Sequence, residues 1–502
     1  MTTAPIRRHR DLTAAAVTLG LAASPAVLHA ALIDITTPQT TPQAIGDGDS
    51  LRVSSPNGSI ITNGNAVTAT GTITIGGFEN QGTVTSNDST AVLMDLSVTI
   101  DGDILNSGSI NAPNTGANAG GIELITATMT GEVRNTGTIS ADSDGIYVNN
   151  SSSITGGIVN ASGGTITSAG SDGIDINDGS IVASITNAGT ITADDNGIEI
   201  GRDASISGDV VNSGTIDADN DGIELDTGTI TGVLRNSGVI SGDNDGIYVN
   251  DTSSIQGGIV NEAGGEIVSD FADGIDINDG STVASITNAG TITADDNGIE
   301  IGASSTVGSI TNTGTITGDD ASIDADATSL VQNGIDNSGT LTGQLDVDGT
   351  DGSGGGIDLS NSGSIDILDS ESLLSGDFTQ TGTGALAVML LSFGDYTAAP
   401  LAIAGDASID GELMLGFDPG FVFSPLSRFT LIDVGGSRTG LFNNYANGAR
   451  VANFGGRNNI FIDYTAEGDI DLYATPLPGT AALIGIGALA GLGGLARRRR
   501  PA

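Results

Sequence analysis

The chain contains no cysteine and no tryptophan, and all fifteen of its basic residues are arginine. Without cysteine there is no disulfide, no thiolate nucleophile and no cysteine-held zinc. The two histidines, His9 and His29, both fall within the first thirty residues. Past that point serine–histidine–aspartate and cysteine–histidine catalysis lack their base. Positive charge is scarce as well. Between the termini eight arginines stand against about sixty carboxylates, and the formal net charge of the whole chain is −46. Such a body repels nucleic acid, whose phosphates need cationic partners. It also repels anionic lipid headgroups, and it favours solubility and divalent cations. Aromatic residues make up 3%. High acidity with few rings is one signature of disorder, yet isoleucine and valine recur here at fixed spacing, which points to a packed interior.

What is present divides into ends and body. The start, "MTTAPIRRHRDLTAAAVTLGLAASPAVLHAALID", has a positive front, an apolar run from Leu12 to Leu28 and small residues around Ala30. That pattern predicts a secretory signal peptide over residues 1–30, cut near Ala30. At the other end, "TPLPGTAALIGIGALAGLGGLARRRRPA" places an apolar stretch, Thr480 to Ala496, before Arg497, Arg498, Arg499 and Arg500. As a helix the stretch would rise about 26 Å, slightly short of a hydrocarbon core of about 30 Å. The arginine cluster suits a cytoplasmic stop. Residues 476–502 thus read as a sorting or transmembrane tail with a single hydrophobic helix.

The body is repetitive. "SITNAGTITADDNGIEI" stands at 184–200 and again, unchanged, at 285–301. A Gly-Ile-x-apolar element recurs as "GIYV" at 145, "GIDI" at 173, "GIEI" at 197, "GIEL" at 222, "GIYV" at 246, "GIDI" at 274 and "GIEI" at 298. The steps are 24 to 28 residues, and the first four of them make up the 101-residue offset of the duplication. An Asn-x-Gly-x-apolar element precedes them, headed by Asn135, Asn187, Asn212, Asn236, Asn288 and Asn312, with weaker relatives from residue 80 to 361. Periods of this size mean stacked repeats. Each holds two or three short runs of period two bounded by Gly, Asp, Asn and Ser, and none is long enough for a helix. The expected fold is all-β, a parallel β-helix of about twelve coils over residues 50–370, within a repeat domain of 31–370. At about 4.8 Å per coil the rod is on the order of 55–60 Å long.

Stacking alone assigns the recurring slots. In "GIEI" Ile198 and Ile200 face one way and the middle residue the other. Ile198, Ile223 and Ile247 should lie over one another as an aliphatic column, each worth roughly 1.5–3 kcal/mol when buried. The preceding glycines suit a tight corner, often at positive φ. Asn187, Asn212, Asn236, Asn288 and Asn312 can form an amide ladder along the axis or supply Asx-turns. Residues 371–475 change character: "SRFTLIDVGG" and "NIFIDYTAEGDIDLY" are richer in aromatics and alternate at period two. They predict an antiparallel β cap covering the last rung, where an open edge would invite end-to-end association.

Two resemblances attach to these motifs. The "N-x-G-x-I" repeats resemble passenger regions of bacterial autotransporters and related surface adhesins. That resemblance implies a right-handed parallel β-helix. The residues after the repeats read as a β portion and a tail instead of an autotransporter's membrane barrel. The tail, with Pro476, Leu477 and Pro478 ahead of its apolar stretch and basic end, resembles the PEP-CTERM family of surface-sorting signals in its VPLPA-like variant. Thr475 and Gly479 stand where that variant usually has Val and Ala. The likeness implies an exosortase-like sorting protease as partner, beside the secretion machinery, and export to the surface, outer membrane or extracellular matrix of a Gram-negative-type bacterium.

For chemistry the residues leave little. Some parallel β-helices cleave acidic polysaccharides with Asp clusters, a His and an Arg or Lys, and the exported chain lacks His and Lys. Carboxylate-pair glycoside hydrolysis survives, with no pair singled out, so the reading is non-enzymatic, with no catalytic residue and no certain cofactor. Calcium is the candidate ligand. "DADNDG" at 217–222 spaces Asp217, Asp219 and Asp221 as in a calcium loop, but the twelfth position is Gly228 where a bidentate Glu is needed. The bland alternative is a solvated acidic turn. The middle residues of the Gly-Ile elements, from Tyr147 through Asp175, Glu199, Glu224, Tyr248 and Asp276 to Glu300, would form an outward, mutually repelling column that cations could bridge. Tyr147 and Tyr248 could also stack on sugar rings, making surface polysaccharide a further partner. The structural or adhesive surface rod is the leading reading. The rivals are a polysaccharide-active β-helix enzyme and an autotransporter-like passenger without its own barrel.

Overall fold

Runs of three or four residues alternating apolar and polar cannot close a core alone, because each buries one face and leaves both backbone edges open. Stacking identical runs satisfies both edges at once. The computed structural model describes residues 30–113, 119–367, 371–390, 398–418, 427–454 and 458–476. Over these the chain winds into an all-β parallel solenoid of about fifteen turns, with no helix among the described residues. The winding is longer than the twelve coils expected, because weakly matching stretches at both ends also stack.

One turn shows the pattern. Strand Ile185–Asn187 leads through a tight corner to Thr190–Ala193, a bend at 194–197 leads to Ile198–Gly201, and the two-residue strand Ser205–Ile206 closes the circuit. Each strand pairs in parallel with its counterpart one turn on: Ile185 with Val210, Ile191 with Ile216, Ile198 with Ile223 and Ile206 with Ile230. The first side of the circuit builds a ladder of seventeen strands, the short closing side one of eleven. Inward positions therefore form continuous columns. Ile198, Ile223 and Ile247 lie in successive register and are buried, as are Ile200, Leu225 and Val249.

The corner asparagines carry a second column. From Asn80 to Asn361, twelve asparagines stand one per turn, each no more than 2% exposed. The Nδ2 of Asn187 donates to Oδ1 of Asn212 at 2.8 Å, Asn212 to Asn236 at 2.9 Å, and Asn288 to Asn312 at 2.9 Å. The second Nδ2 proton of Asn187 goes to the Thr215 carbonyl at 3.0 Å. Several side-chain oxygens also accept from the backbone two residues on, as when Gly238 N–H donates to Asn236 at 3.1 Å. Ladder and Asx-turn are thus one arrangement. Asn160 and Asn261 belong to the same column. The Asn-x-Gly-x-apolar pattern misses them because two extra residues, in "NASGG" and "NEAGG", bulge out at their corners.

Glycine serves close approach more than unusual backbone. A Cβ on Gly214 would sit 2.0 Å from the Gly189 carbonyl oxygen of the turn below. The glycine opening each Gly-Ile element was expected at positive φ, but Gly197 and Gly222 are not among the positive-φ residues. A Cβ on Gly197 would instead meet the Ile216 methyl at 2.2 Å and the Gly222 oxygen at 2.5 Å. The core isoleucine of the next turn occupies the space.

Parallel stacking runs past the expected boundary at 371. Phe378 pairs with Ala407 and Ala407 with Arg438, Leu386 with Leu413, and Leu401 with Ile432. Antiparallel pairing begins at Arg428–Val434, which takes Ile470–Pro476 on its free edge; Asn458–Tyr464 then pairs with Ile470–Pro476, and Arg450–Phe454 with Asn458–Tyr464. The aromatic-rich stretch alternates at period two in either pairing, so its alternation could not place the switch. Pro476 ends the last of these strands. Residues 1–29 of the expected signal peptide, Leu477, Pro478, the expected tail helix and Arg497 to Arg500 lie outside the described residues. Among the described residues no helix is long and apolar enough to cross a membrane.

Replacing Asn212 by Ala leaves one Asn187 Nδ2 proton without its acceptor in a buried column and takes from Asn236 Oδ1 one of its two donors, Gly238 N–H remaining. The expected loss is roughly 1–3 kcal/mol for each buried group left unsatisfied, read by chemical denaturation. Ser213→Ala, on the exposed neighbour, should stay within about 0.5 kcal/mol.

Candidate functional site

The bend between the second and third strands of each turn is where the acidity gathers. The residue just before each Gly-Ile is Asp or Asn: Asp144, Asp172, Asn196, Asp221, Asp245, Asp273 and Asn297, all buried. Each turns its side chain along the axis, and one oxygen accepts the backbone N–H of the residue in the same place one turn on. Asn196 N–H donates to Asp172 Oδ1 at 2.9 Å, Asp221 N–H to Asn196 at 3.1 Å, Asp245 N–H to Asp221 at 2.9 Å and Asp273 N–H to Asp245 at 2.9 Å. These are buried backbone donors that the strand ladders leave over, and leaving them unpaired would be costly. The sequence carries the signal as an invariable Asp or Asn ahead of each of these Gly-Ile elements.

That ladder decides the fate of the expected calcium loop. Asp221 is 2% exposed and points along the corner column, accepting from Asp245 N–H and from Asn244 Nδ2 at 3.0 Å. Asp217 and Asp219 are exposed. The structure does not bring the three carboxylates into one group, because period-two alternation and the bend send them to different sides.

The middle residues of the Gly-Ile elements do stack. Tyr147 pairs with Asp175, Asp175 with Glu199, Glu199 with Glu224, Glu224 with Tyr248, Tyr248 with Asp276, and Asp276 with Glu300. They face away from the aliphatic core, yet they are not the solvated column expected. Asp175 and Asp276 are each 6% exposed. At the Asx-Gly corners of two successive turns the corner carboxylates Asp144 and Asp172 and the middle residue Asp175 line the walls of one cleft. Around Asp144, Asp172 and Asp175 it holds about 730 Å³, with Tyr147, Glu199 and Arg202 also on its walls. Asn149 donates to the Tyr147 hydroxyl, which ties that ring to its own strand.

Packing acids into a concave wall shifts their ionisation. Burial, then the nearby Glu199 carboxylate, pushes Asp175 up to about 9 and Asp172 up to about 8. Burial followed by Asp221 raises Glu224 to about 8, and burial followed by Asp245 raises Asp276 to about 8. Burial raises the Tyr147 phenol to about 12, with Asp175 adding to it. Such shifts mark functional sites and strained structural networks alike. Tyr147 and Tyr248 thus sit four turns apart, each in register with an aspartate, Asp175 and Asp276.

The fold and cleft together define an all-β parallel solenoid with an acidic corner groove. No family model and no curated protein matches the chain.

Acids whose folded-state pKa lies above the unfolded value take up protons on folding, so stability falls as pH rises. Asp172, Asp175, Glu224 and Asp276 keep their protons in the rod up to about 8 or 9, whereas unfolded carboxyls lose theirs near 4. In chelator, the melting temperature should therefore be highest near pH 4 to 5 and fall by several degrees, as an order of magnitude, towards pH 9. Differential scanning calorimetry across that range checks it. A rod more stable at pH 9 than at pH 5 would refute the assignment.

Proposed function

We propose that this chain is a non-enzymatic, exported structural or adhesive rod of a Gram-negative-type cell surface or extracellular matrix, delivered through its C-terminal tail by an exosortase-like protease. The observation that carries the reading is the unbroken stack itself. About fifteen like turns spend the chain on length and on repeated outward faces, and the 101-residue duplication adds four turns to the rod without disturbing register. In this reading the winding is right-handed, the usual sense for parallel crossovers. The antiparallel strands between Arg428 and Pro476 shield the last rung from end-to-end association. The carboxylate-rich surface keeps neighbouring rods apart or joins them through cations.

A second reading draws on the acidic cleft. Buried carboxyls with raised pKa beside further carboxyl groups are the kind of pairing that glycoside hydrolysis uses, and a polysaccharide would lie in the cleft. Depolymerisation of surface glycans above a heat-killed control would favour it.

Mass spectrometry of the protein from culture medium, wall and membrane fractions tests the leading reading. The expected product starts near residue 31, ends near Pro476–Pro478 and is found outside the inner membrane. Intact chain retained in the cytoplasm would overturn it.

A further inference from the structure

Two groups of carboxylates at the Asx-Gly corners stand apart from the rest of the acidic surface. In each of the sets Asp144, Asp172, Asp175 and Asp245, Asp273, Asp276, one oxygen per residue lies within 4.8 Å of the others, and all six residues are buried. The sets are 101 residues apart, equivalent members of the duplicated block. Closeness of acids is not by itself a site, since the corner aspartates have the ladder to serve. The deciding observation concerns the third member. Asp175 Oδ2 accepts from Asn177 Nδ2 at 3.0 Å and Asp276 Oδ2 from Asn278 Nδ2 at 3.0 Å, which fixes both carboxylates. The other oxygen of each, Asp175 Oδ1 and Asp276 Oδ1, is buried and has no hydrogen-bond partner. Asn177 Oδ1, in a side chain 4% exposed on the same cleft wall, is likewise buried without a donor. Unpaired buried oxygens in native proteins call for an explanation. Here they are all acceptors, pinned in place, in a cleft whose other groups are mostly acceptors too.

We propose that each triad, Asp144–Asp172–Asp175 and Asp245–Asp273–Asp276, holds one hard divalent cation of the Ca²⁺ kind, clamping two successive turns of the rod. An all-oxygen donor set of this kind suits Ca²⁺, Mg²⁺ or Mn²⁺ and no soft metal. The first and second members of each triad belong to adjacent turns, and the third shares a turn with the second, so the ion crosses a rung boundary. The two sites are not equal. Arg202 lines the first cleft, whereas the equivalent position 101 residues on is Ala303. A fixed positive charge opposes a cation, so the second site binds more tightly. The inference rests on the triad geometry and stands whether or not the surface-rod reading holds.

The test uses the purified chain at pH 7.5 with Ca²⁺ by isothermal titration, and with Tb³⁺ as a luminescent substitute. Tyr147 is in register with Asp175 and Tyr248 with Asp276, close enough to sensitise Tb³⁺. Expected are two Ca²⁺ per chain of unequal affinity, tyrosine-sensitised Tb³⁺ emission displaced by Ca²⁺, and a higher melting temperature in Ca²⁺ than in chelator. The double variant Asp175→Asn with Asp276→Asn removes one charged ligand per site and should weaken binding at least about tenfold. It relieves repulsion and so should fold, as its circular dichroism in chelator will report. Tyr147→Phe with Tyr248→Phe should keep Ca²⁺ binding and lose the emission, and Asp217→Asn with Asp219→Asn should change neither. Absence of stoichiometric binding, or equal binding by the Asp175/Asp276 double variant, overturns the proposal. So does loss of the signal on changing only Asp217 and Asp219.

Discussion

Everything in this molecule follows from the requirement that each turn lie directly over the last at the spacing of a β-ladder. At about 4.8 Å a side chain meets the same position of the next turn before it meets anything else. Residues that pair well with copies of themselves are therefore selected at every inward slot. Isoleucine over isoleucine fills the core, glycine over glycine lets corner carbonyls approach to where a Cβ would be, and asparagine over asparagine satisfies its own amide. The same requirement explains how a block of 101 residues can be doubled. Four whole turns enter the stack, and the rungs on either side find the partners they had before.

Self-stacking has a cost where the side chain cannot complement itself. An amide has donor and acceptor on one group, so the Asn80–Asn361 column closes on its own. A carboxylate is acceptor only. In the corner column it is rescued by backbone N–H groups, as between Asp221 and Asp245. In the middle column side-chain amides take part of that role, Asn177 for Asp175 and Asn196 for Glu224, while Asp175, Glu199 and Glu224 follow one another in register. Asp175 Oδ1 and Asp276 Oδ1 are left buried without a hydrogen-bond partner. The acidic cleft around Asp144, Asp172 and Asp175 is the chemical consequence of building a polar wall by repetition.

Much of the architecture was legible from periodicity. The Gly-Ile and Asn-x-Gly elements locate turn after turn, and Ile198, Ile223 and Ile247 stand one over another as their spacing implies. Asn160 and Asn261 were not legible, since an extra two residues at a corner hide the motif while the backbone absorbs them as a bulge. The switch to antiparallel pairing was placed too early, because alternation looks the same in both kinds of sheet. The acidic site was misjudged for a related reason. Asp217, Asp219 and Asp221 are neighbours in the chain, and chain spacing suggested a loop around an ion; the bend points Asp221 along the axis and the others to solvent.

The sequence by itself determined that this is a stack of short β-turns with an aliphatic inside and an acidic outside. Both properties are set by local pattern and repeat length, which a single strand of text displays in full. Which acids meet, which lose water and which oxygens end without a partner was decided only in the tertiary structure. Asp144 and Asp175 are thirty-one positions apart in the chain, and no pattern along it measures the concave angle that brings them into one wall.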